Sequence, residues 1–301
     1  MFRRKRKVRI QIRKLFIYFL VLIILSNGCL AFAGGVKDTG EAGTEDTDII
    51  VPILMYHQLK LTNPGKDSIM PYEFENDLKY LKENNFTTIT MTDLIDYVLN
   101  YKELPEKPII LSFDDGYYNN YVYVYPLLKK YDMKIVLSLI GKDTDDFSKV
   151  PSDNISLSHV TWDQVNEMME SGLVEIQNHS YNMHKITSKR YGCLKKRAET
   201  QDHYERELTE DILKLQIEAT VMTGFTPNTF NYPYGRVSEE SYPIIKKLGF
   251  QASLTCNYGV NIIDRDPECL YNLRRVCRSH NQSAKKMLKE AMETLKYRKK
   301  K

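Results

Sequence analysis

Two adjacent aspartates end an apolar run in "PIILSFDDGYY" (108–118), and two histidines stand five apart in "HSYNMH" (179–184). Carboxylate and imidazole together form a set of hard and borderline donors that suits a divalent cation. Asp115, His179 and His184 make a three-ligand set that leaves coordination positions for water. Asp114 then stays off the metal as the general base that deprotonates the activated water. Neighbouring strand residues point to opposite faces, so both carboxylates reach one pocket only if a turn at Gly116 breaks the strand. The competing reading of "DDG" alone is an Asp-Gly turn that caps the next helix. The histidine pair tips the balance towards a metal site.

The elements that would position these residues alternate. "IVPILMYH", "FTTIT", "PIILSF", "KIVLSLIG", "LVEIQNH", "NTFNYP" and "FQASLTC" read as seven strands. Helical periodicity lies between them, as in "MPYEFENDLKYLKENN" with Phe74, Leu78 and Leu81 on one face. "MTDLIDYVLN" is a helix with Thr92 as its cap, "TWDQVNEMMESG" has Thr161 and Gln164 in capping-box register, and "LTEDILKLQIEATVMTG" is a longer helix. Apolar strands between amphipathic helices predict a parallel sheet covered by helices. Seven such units suggest an α/β fold, a closed or nearly closed β/α barrel with its working face at the strands' C-terminal ends. His57, Asp114, Asp115, His179 and the "NYPYG" segment all fall at such ends.

Residues 1–33 are different in kind: a basic start, the apolar run Leu15–Leu25, then Ala31-Phe32-Ala33. They read as a signal peptide or, alternatively, an N-terminal membrane anchor through residues 15–33. Both place the body of the protein outside the cytoplasm, secreted or at the cell surface. Residues 34–50 are a polar linker, 51–285 the catalytic domain, and 286–301 a basic helix end or tail. Removing the eight Lys/Arg of the leader leaves 35 basic against 39 acidic side chains, so no global charge argues for nucleic acid as a partner. Cys193, Cys256, Cys269 and Cys277 match no zinc-ribbon spacing, and their pairing is open.

Three motifs in order resemble the polysaccharide deacetylases, the NodB-homology group also called carbohydrate esterase family 4. "SFDDG" is similar to the T/S-F-D-D-G signature, "HSYNMH" to H-S/T-x-x-H, and "FNYPYG" to R-x-P-Y-G, over about residues 51–280. The resemblance implies a single catalytic domain with a distorted (β/α) barrel of about seven strands. It also implies a divalent cofactor, zinc foremost with cobalt, nickel or manganese as alternatives, and an N-acetylated glycan as substrate. Carried over by position, Asp114 matches the base, Asp115, His179 and His184 the ligands, and Tyr234 the residue whose backbone N–H stabilises the oxyanion. His57, Tyr181, Asn231 and Pro233 are expected to line the substrate pocket.

The chain departs from the pattern at three places. Its histidines are one residue further apart than usual, which, with "PILMYH", is similar to the branch acting on poly-β-1,6-N-acetylglucosamine. Asn231 stands where an arginine usually orients the base. The later D-x-x-D-W and L-x-H motifs are missing, and His280 in "RRVCRSH" is the stand-in for the general acid. The implied activity is removal of N-acetyl groups from an exported glycan, peptidoglycan or an exopolysaccharide, by metal-activated water. The alternatives are acetyl-ester cleavage and a glycan-binding protein with a degenerate site.

Overall fold

The computed structural model describes residues 48–188 and 190–298. The expected leader and residues 34–47 of the linker lie outside the described residues, among which no helix is long and apolar enough to cross a membrane. The first elements are β1 (Ile49–Val51), β2 (Ile53–Tyr56), β3 (Gln58–Leu59), β4 (Ser68–Ile69), α1 (Pro71–Glu83), β5 (Thr87–Thr88) and α2 (Met91–Asn100). Next come β6 (Pro108–Phe113), a π-helical turn (Asn120–Val124), α3 (Tyr125–Tyr131), β7 (Ile135–Leu139), α4 (Gly141–Lys149), α5 (Trp162–Glu170) and β8 (Val174–Asn178). The chain ends with α6 (Gln201–Thr223), β9 (Thr229–Asn231), α7 (Ser241–Lys247), β10 (Ala252–Tyr258), β11 (Asn261–Ile263), β12 (Leu273–Cys277) and α8 (Ala284–Arg298).

Strands β2, β6, β7, β8, β9, β10 and β12 follow one another around a ring that closes where β12 pairs with β2. Every pairing in the ring is parallel. This is the expected seven-stranded barrel, with one member exchanged. "FTTIT" supplies only the two-residue β5, which pairs with the first residues of β6 and stays outside the ring. The seventh stave is instead "LRRVC", whose charged residues hide its strand pattern.

Strand parity sorts the side chains. Ile109, Leu111 and Phe113 of β6 pack outward with the helices, while Ile110 faces the barrel interior with Ile53, Val136, Leu254 and Leu273. The amphipathic helix α2 contributes Leu94, Ile95 and Val98 to this interior cluster and plugs the end where the strands begin. Its cap is Thr90 rather than Thr92. The Thr90 side chain accepts from the Asp93 N–H, and the Thr92 hydroxyl instead accepts from Asn228. A carboxylate from inside the barrel, Glu175, accepts the N–H groups of Met91 and Thr92, where the helix dipole favours negative charge. The Thr161–Gln164 box forms as read.

Two domain edges move. Ile49 and Ile50 pair with β11, so the folded body begins inside the expected linker. The expected tail from 286 belongs largely to α8, whose Met287, Leu288, Ala291 and Leu295 are buried in the outer core. An apolar face recurring at helical spacing wins over the lysines interleaved with it.

Candidate active site

The open end of the barrel holds a cleft of about 370 Å³ lined by His57, Asp114, Asp115, His179, His184 and Tyr234, among others. Asp114 continues the inward parity of Ile110 and Ser112. Asp115 follows it into the same cleft because its own backbone is left-handed (φ 74°), as is that of Gly116 (φ 73°). Asp tolerates this conformation better than most residues. At Gly116 a Cβ would also lie 2.8 Å from Leu139 Cδ2, so glycine is required twice over. Ser180 (φ 69°) and Tyr234 (φ 58°) take the same conformation in the loops after β8 and β9. Three of the nine left-handed non-glycine residues among the described residues thus fall in the motifs that build the cleft.

Asp115 Oδ1 lies 3.5 Å from His179 Nε2 and 3.3 Å from His184 Nε2. One donor atom from each residue falls within 4.8 Å of the others. Asp115 Oδ1 is buried without a hydrogen-bond partner. Two imidazole nitrogens and an orphaned carboxylate oxygen turned towards one another fit a divalent cation. His179 Nδ1 sits 2.7 Å from the Asn231 carbonyl, which fixes the proton there and leaves Nε2 free as a donor to the ion. His184 is pushed down to about 4, by burial first and then by His179, and so stays neutral as a ligand must. The Tyr234 ring stacks on His184 with centroids 4.3 Å apart.

Asp114 is gripped by a residue that sequence reasoning missed. Arg275, on the inner face of β12 and fully buried, donates from Nη1 to Oδ1 (2.7 Å) and from Nη2 to Oδ2 (2.9 Å). Asn231 Nδ2 donates to Oδ1 at 2.7 Å, and Asn231 Oδ1 in turn accepts from Arg275 at 3.0 Å. Ser112 and the Thr255 carbonyl hold the rest of the guanidinium. Burial pushes Asp114 up, but Arg275 outweighs it and holds the carboxyl below its ordinary value, hence ionised. The arginine expected at 231 has moved three strands along the chain, and Asn231 has become its partner.

His57 Nε2 stands 4.0 Å from Asp114 Oδ2, and its buried Nδ1 has no partner. Asn120 donates to the His57 carbonyl, tying the loop after β2 to the segment after the aspartates. Four of the expected residues are not among those that line the cleft. His280 pairs with Glu73 (2.7 Å) on the outside of the barrel, because the loop after β12 turns towards α1. The acid assignment therefore leaves His280. Asn231 is buried and engaged by Asp114 and Arg275. Pro233 is buried, and Tyr181 lies under the Lys214 ammonium with its hydroxyl on Asp145. Tyr234 remains on the cleft, and among the described residues no acceptor takes its backbone N–H.

A parallel barrel whose open end presents a triad that could hold a metal ion and an arginine-held carboxylate defines a hydrolase-like centre. Residues 101–253 match the family model described as polysaccharide deacetylase, and the chain belongs to that family. It is 28% identical to YxkH of Bacillus subtilis over 224 residues, 74% of this chain and 71% of that protein. It is 25% identical to the poly-beta-1,6-N-acetyl-D-glucosamine N-deacetylase of Escherichia coli (strain K12) over 74% of its length, but spans only 35% of that protein. The solved de-N-acetylase of Aggregatibacter actinomycetemcomitans superposes with a TM-score of 0.68 at 25% identity, covering 80% of this chain and 99% of the other.

Proposed function

We propose that this chain is an exported, metal-dependent deacetylase that hydrolyses the N-acetyl groups of an N-acetylglucosamine-containing glycan. The observation that carries the reading is the orphaned Asp115 oxygen facing two imidazoles, beside an Asp114 kept ionised by Arg275. Asp115, His179 and His184 would hold a divalent ion, zinc foremost, which supplies Lewis acidity and brings the pKa of water towards neutrality. Asp114 takes the proton at Oδ2, the oxygen on the His57 side. The Tyr234 N–H donates to the amide oxygen as charge develops on it. His57, the cleft histidine outside the ligand trio, returns a proton to the leaving nitrogen. The reading of a degenerate binding protein rested on a missing arginine and acid, and Arg275 and His57 offer both. Acetyl-ester cleavage remains the alternative within the same chemistry, and the N-deacetylases among its relatives favour the amide.

The test is acetate release by the full chain from N-acetylglucosamine oligomers and from their O-acetylated counterparts, before and after chelation. Release that is greater from the amide and abolished by chelator supports the reading, and metal-loaded protein that releases none from either sinks it. Asp115→Ala should lose the ion and Asp114→Asn should keep it while losing turnover. Metal content of the two variants checks this division of labour.

A further inference from the structure

Tyr234 must present its backbone N–H to the amide oxygen, and its side chain is what fixes the direction. Within the turn Pro233–Gly235 the Gly235 N–H donates to the Tyr232 carbonyl (2.8 Å) and the Arg236 N–H to the Pro233 carbonyl (3.2 Å). Tyr234 between them is left-handed (φ 58°), a conformation that disfavours a bulky side chain. Its ring is therefore the handle by which the N–H is aimed. One ring against it is His184, stacked at 4.3 Å. The other is Tyr191, whose centroid lies 5.0 Å away at an interplanar angle of 57°. The Arg236 guanidinium in turn lies over the Tyr191 ring, 5.5 Å from its centroid.

Tyr191 comes from a segment that the hydrolytic groups do not use, "KITSKRYGC" (185–193), directly after the histidine motif. There Ile186 and Tyr191 form an antiparallel bridge, the Thr187 N–H donates to the Arg190 carbonyl (2.9 Å), and the Gly192 N–H donates to the Lys185 carbonyl (3.1 Å). The foot of this hairpin is anchored. Cys193 is fully buried and its carbonyl accepts from the Tyr204 hydroxyl, while the Arg190 guanidinium donates to the Leu194 carbonyl and to Glu199. The Lys195 N–H donates to Ser238 Oγ, which ties the hairpin to the stretch after Tyr234. Gly192 brings the two segments into contact. It is left-handed (φ 56°), and a Cβ there would lie 3.1 Å from the Pro233 carbonyl oxygen and 3.2 Å from Tyr234 Cδ2. Tyr191 is not among the residues that line the cleft, so its ring bears on the site through Tyr234.

We propose that Tyr191 is a positioning residue: its ring, seated on the anchored hairpin, holds the Tyr234 ring against His184 and so aims the Tyr234 N–H at the oxyanion. This rests on the deacetylase reading above and deepens its account of Tyr234. The amide oxygen gains negative charge only as water adds to the carbonyl, so a donor out of line costs more in the transition state than in the ground state. A reacting or stabilising group misplaced by about 1 Å costs on the order of 10²-fold in rate.

The experiment measures kcat and KM separately for the metal-loaded full chain on N-acetylglucosamine oligomers, with rates corrected for folded fraction by urea unfolding. Tyr191→Ala should lower kcat about ten- to hundredfold and leave KM near the wild-type value. Tyr191→Phe keeps the ring and should restore kcat. Tyr191→Leu keeps apolar bulk without the ring, so it should show the same loss even where the alanine variant fails to fold. A second readout is independent of turnover. Affinity for an oligomer whose acetamide is replaced by a methylphosphonamidate, with a tetrahedral anionic oxygen in place of the oxyanion, should weaken by about the factor lost in kcat. Metal content should stay as in the wild type. Wild-type kcat in the alanine and leucine variants overturns the proposal, as does a rise in KM alone, which would make Tyr191 a substrate contact. Loss of the ion overturns it too, since the ring would then serve His184 as a ligand. A phenylalanine variant as impaired as the alanine one transfers the effect to the hydroxyl and overturns the role of the ring. These outcomes leave the deacetylase reading intact, whereas no acetate from the wild type overturns that reading and this inference with it.

Discussion

Two arginines three residues apart do opposite work. Arg275 and Arg278 are both buried and both grip an aspartate, Asp114 inside the barrel and Asp77 outside it. Arg278 Nε donates to Asp77 Oδ2 at 2.6 Å, and Asp77 also accepts from the Ala284 N–H at the start of α8 and from the Tyr56 hydroxyl. Glu73 extends this outer cluster to the Met70 and Asn281 N–H groups and to His280. The outer pair therefore ties α1, β2 and the β12–α8 connection together, and no part of it faces the cleft. The inner pair makes equally good hydrogen bonds but leaves Asp114 Oδ2 beside the cleft and the Asp115 triad. Their electrostatics diverge as well. Arg275 wins over burial and lowers Asp114, whereas at Asp77 burial wins over Arg278 and the carboxyl is raised. A buried ion pair by itself says little about function; what it leaves free, and beside what, decides.

The largest expected effects would break the comparison if they fell on the wrong side. Asp114→Asn should lower kcat by about 10²–10⁴-fold, the usual worth of a positioned base, in protein that still binds its metal. Asp77→Ala should instead cost about 3–5 kcal/mol in urea unfolding, because Arg278 is left buried without its partner. Turnover per folded molecule should be unchanged in that variant. A catalytic loss in Asp77→Ala that persists after correction for folded fraction would show that the outer pair also serves the chemistry.

Arg275→Lys should have an intermediate effect. It keeps the charge but loses the two-pronged fork that fixes both oxygens of Asp114, and a shift of about 1 Å in a reacting group is enough to cost roughly 10²-fold in rate. A purely structural role would lower stability and leave the pH profile of kcat in place. A positioning role moves its acid limb upward, because Asp114 then loses part of what holds it ionised. Measuring kcat against pH in both proteins separates the two.

This relocated arginine also marks where sequence reading stops. The barrel was legible because the apolar strands and amphipathic helices alternate, and the candidate triad was legible because its residues sit in two short motifs. Asn231 signalled that the base needed another partner. Nothing local to Asp114 pointed to Arg275, since their contact spans 161 residues and exists only once β12 closes the ring against β2. The available signal was parity, with Leu273, Arg275 and Cys277 on one face of a strand that the charged "RRVCR" disguises. The same segment drew attention to His280, which the turn after β12 carries to the outer cluster instead. The cap of α2 was misplaced for a related reason: Thr90 and Thr92 both suit the role, and only the Glu175 carboxylate inside the barrel decides how the helix enters.

The smallest effect concerns pH and sharpens the contrast between the clusters. Glu73 is held below its ordinary value: burial pushes it up, but the Met70 N–H, His280, the Asn281 N–H and Arg278 together outweigh that. A carboxylate depressed in the folded state binds protons less readily there than in the unfolded chain. Its contribution to stability is present above the unfolded value, about 4.3, and is lost as pH falls through the folded one. Asp77, raised by burial, has the opposite sign: its contribution is present at low pH and fades as pH rises through its folded value. Glu73→Gln should therefore flatten the rise of stability below about pH 5 without altering turnover per folded molecule. Urea midpoints collected across that range check it. A variant whose acid limb stays as steep as the wild type's would mean that Glu73 draws nothing from its three donors and the Arg278 charge, and the outer cluster would then rest on Asp77 and Arg278 alone.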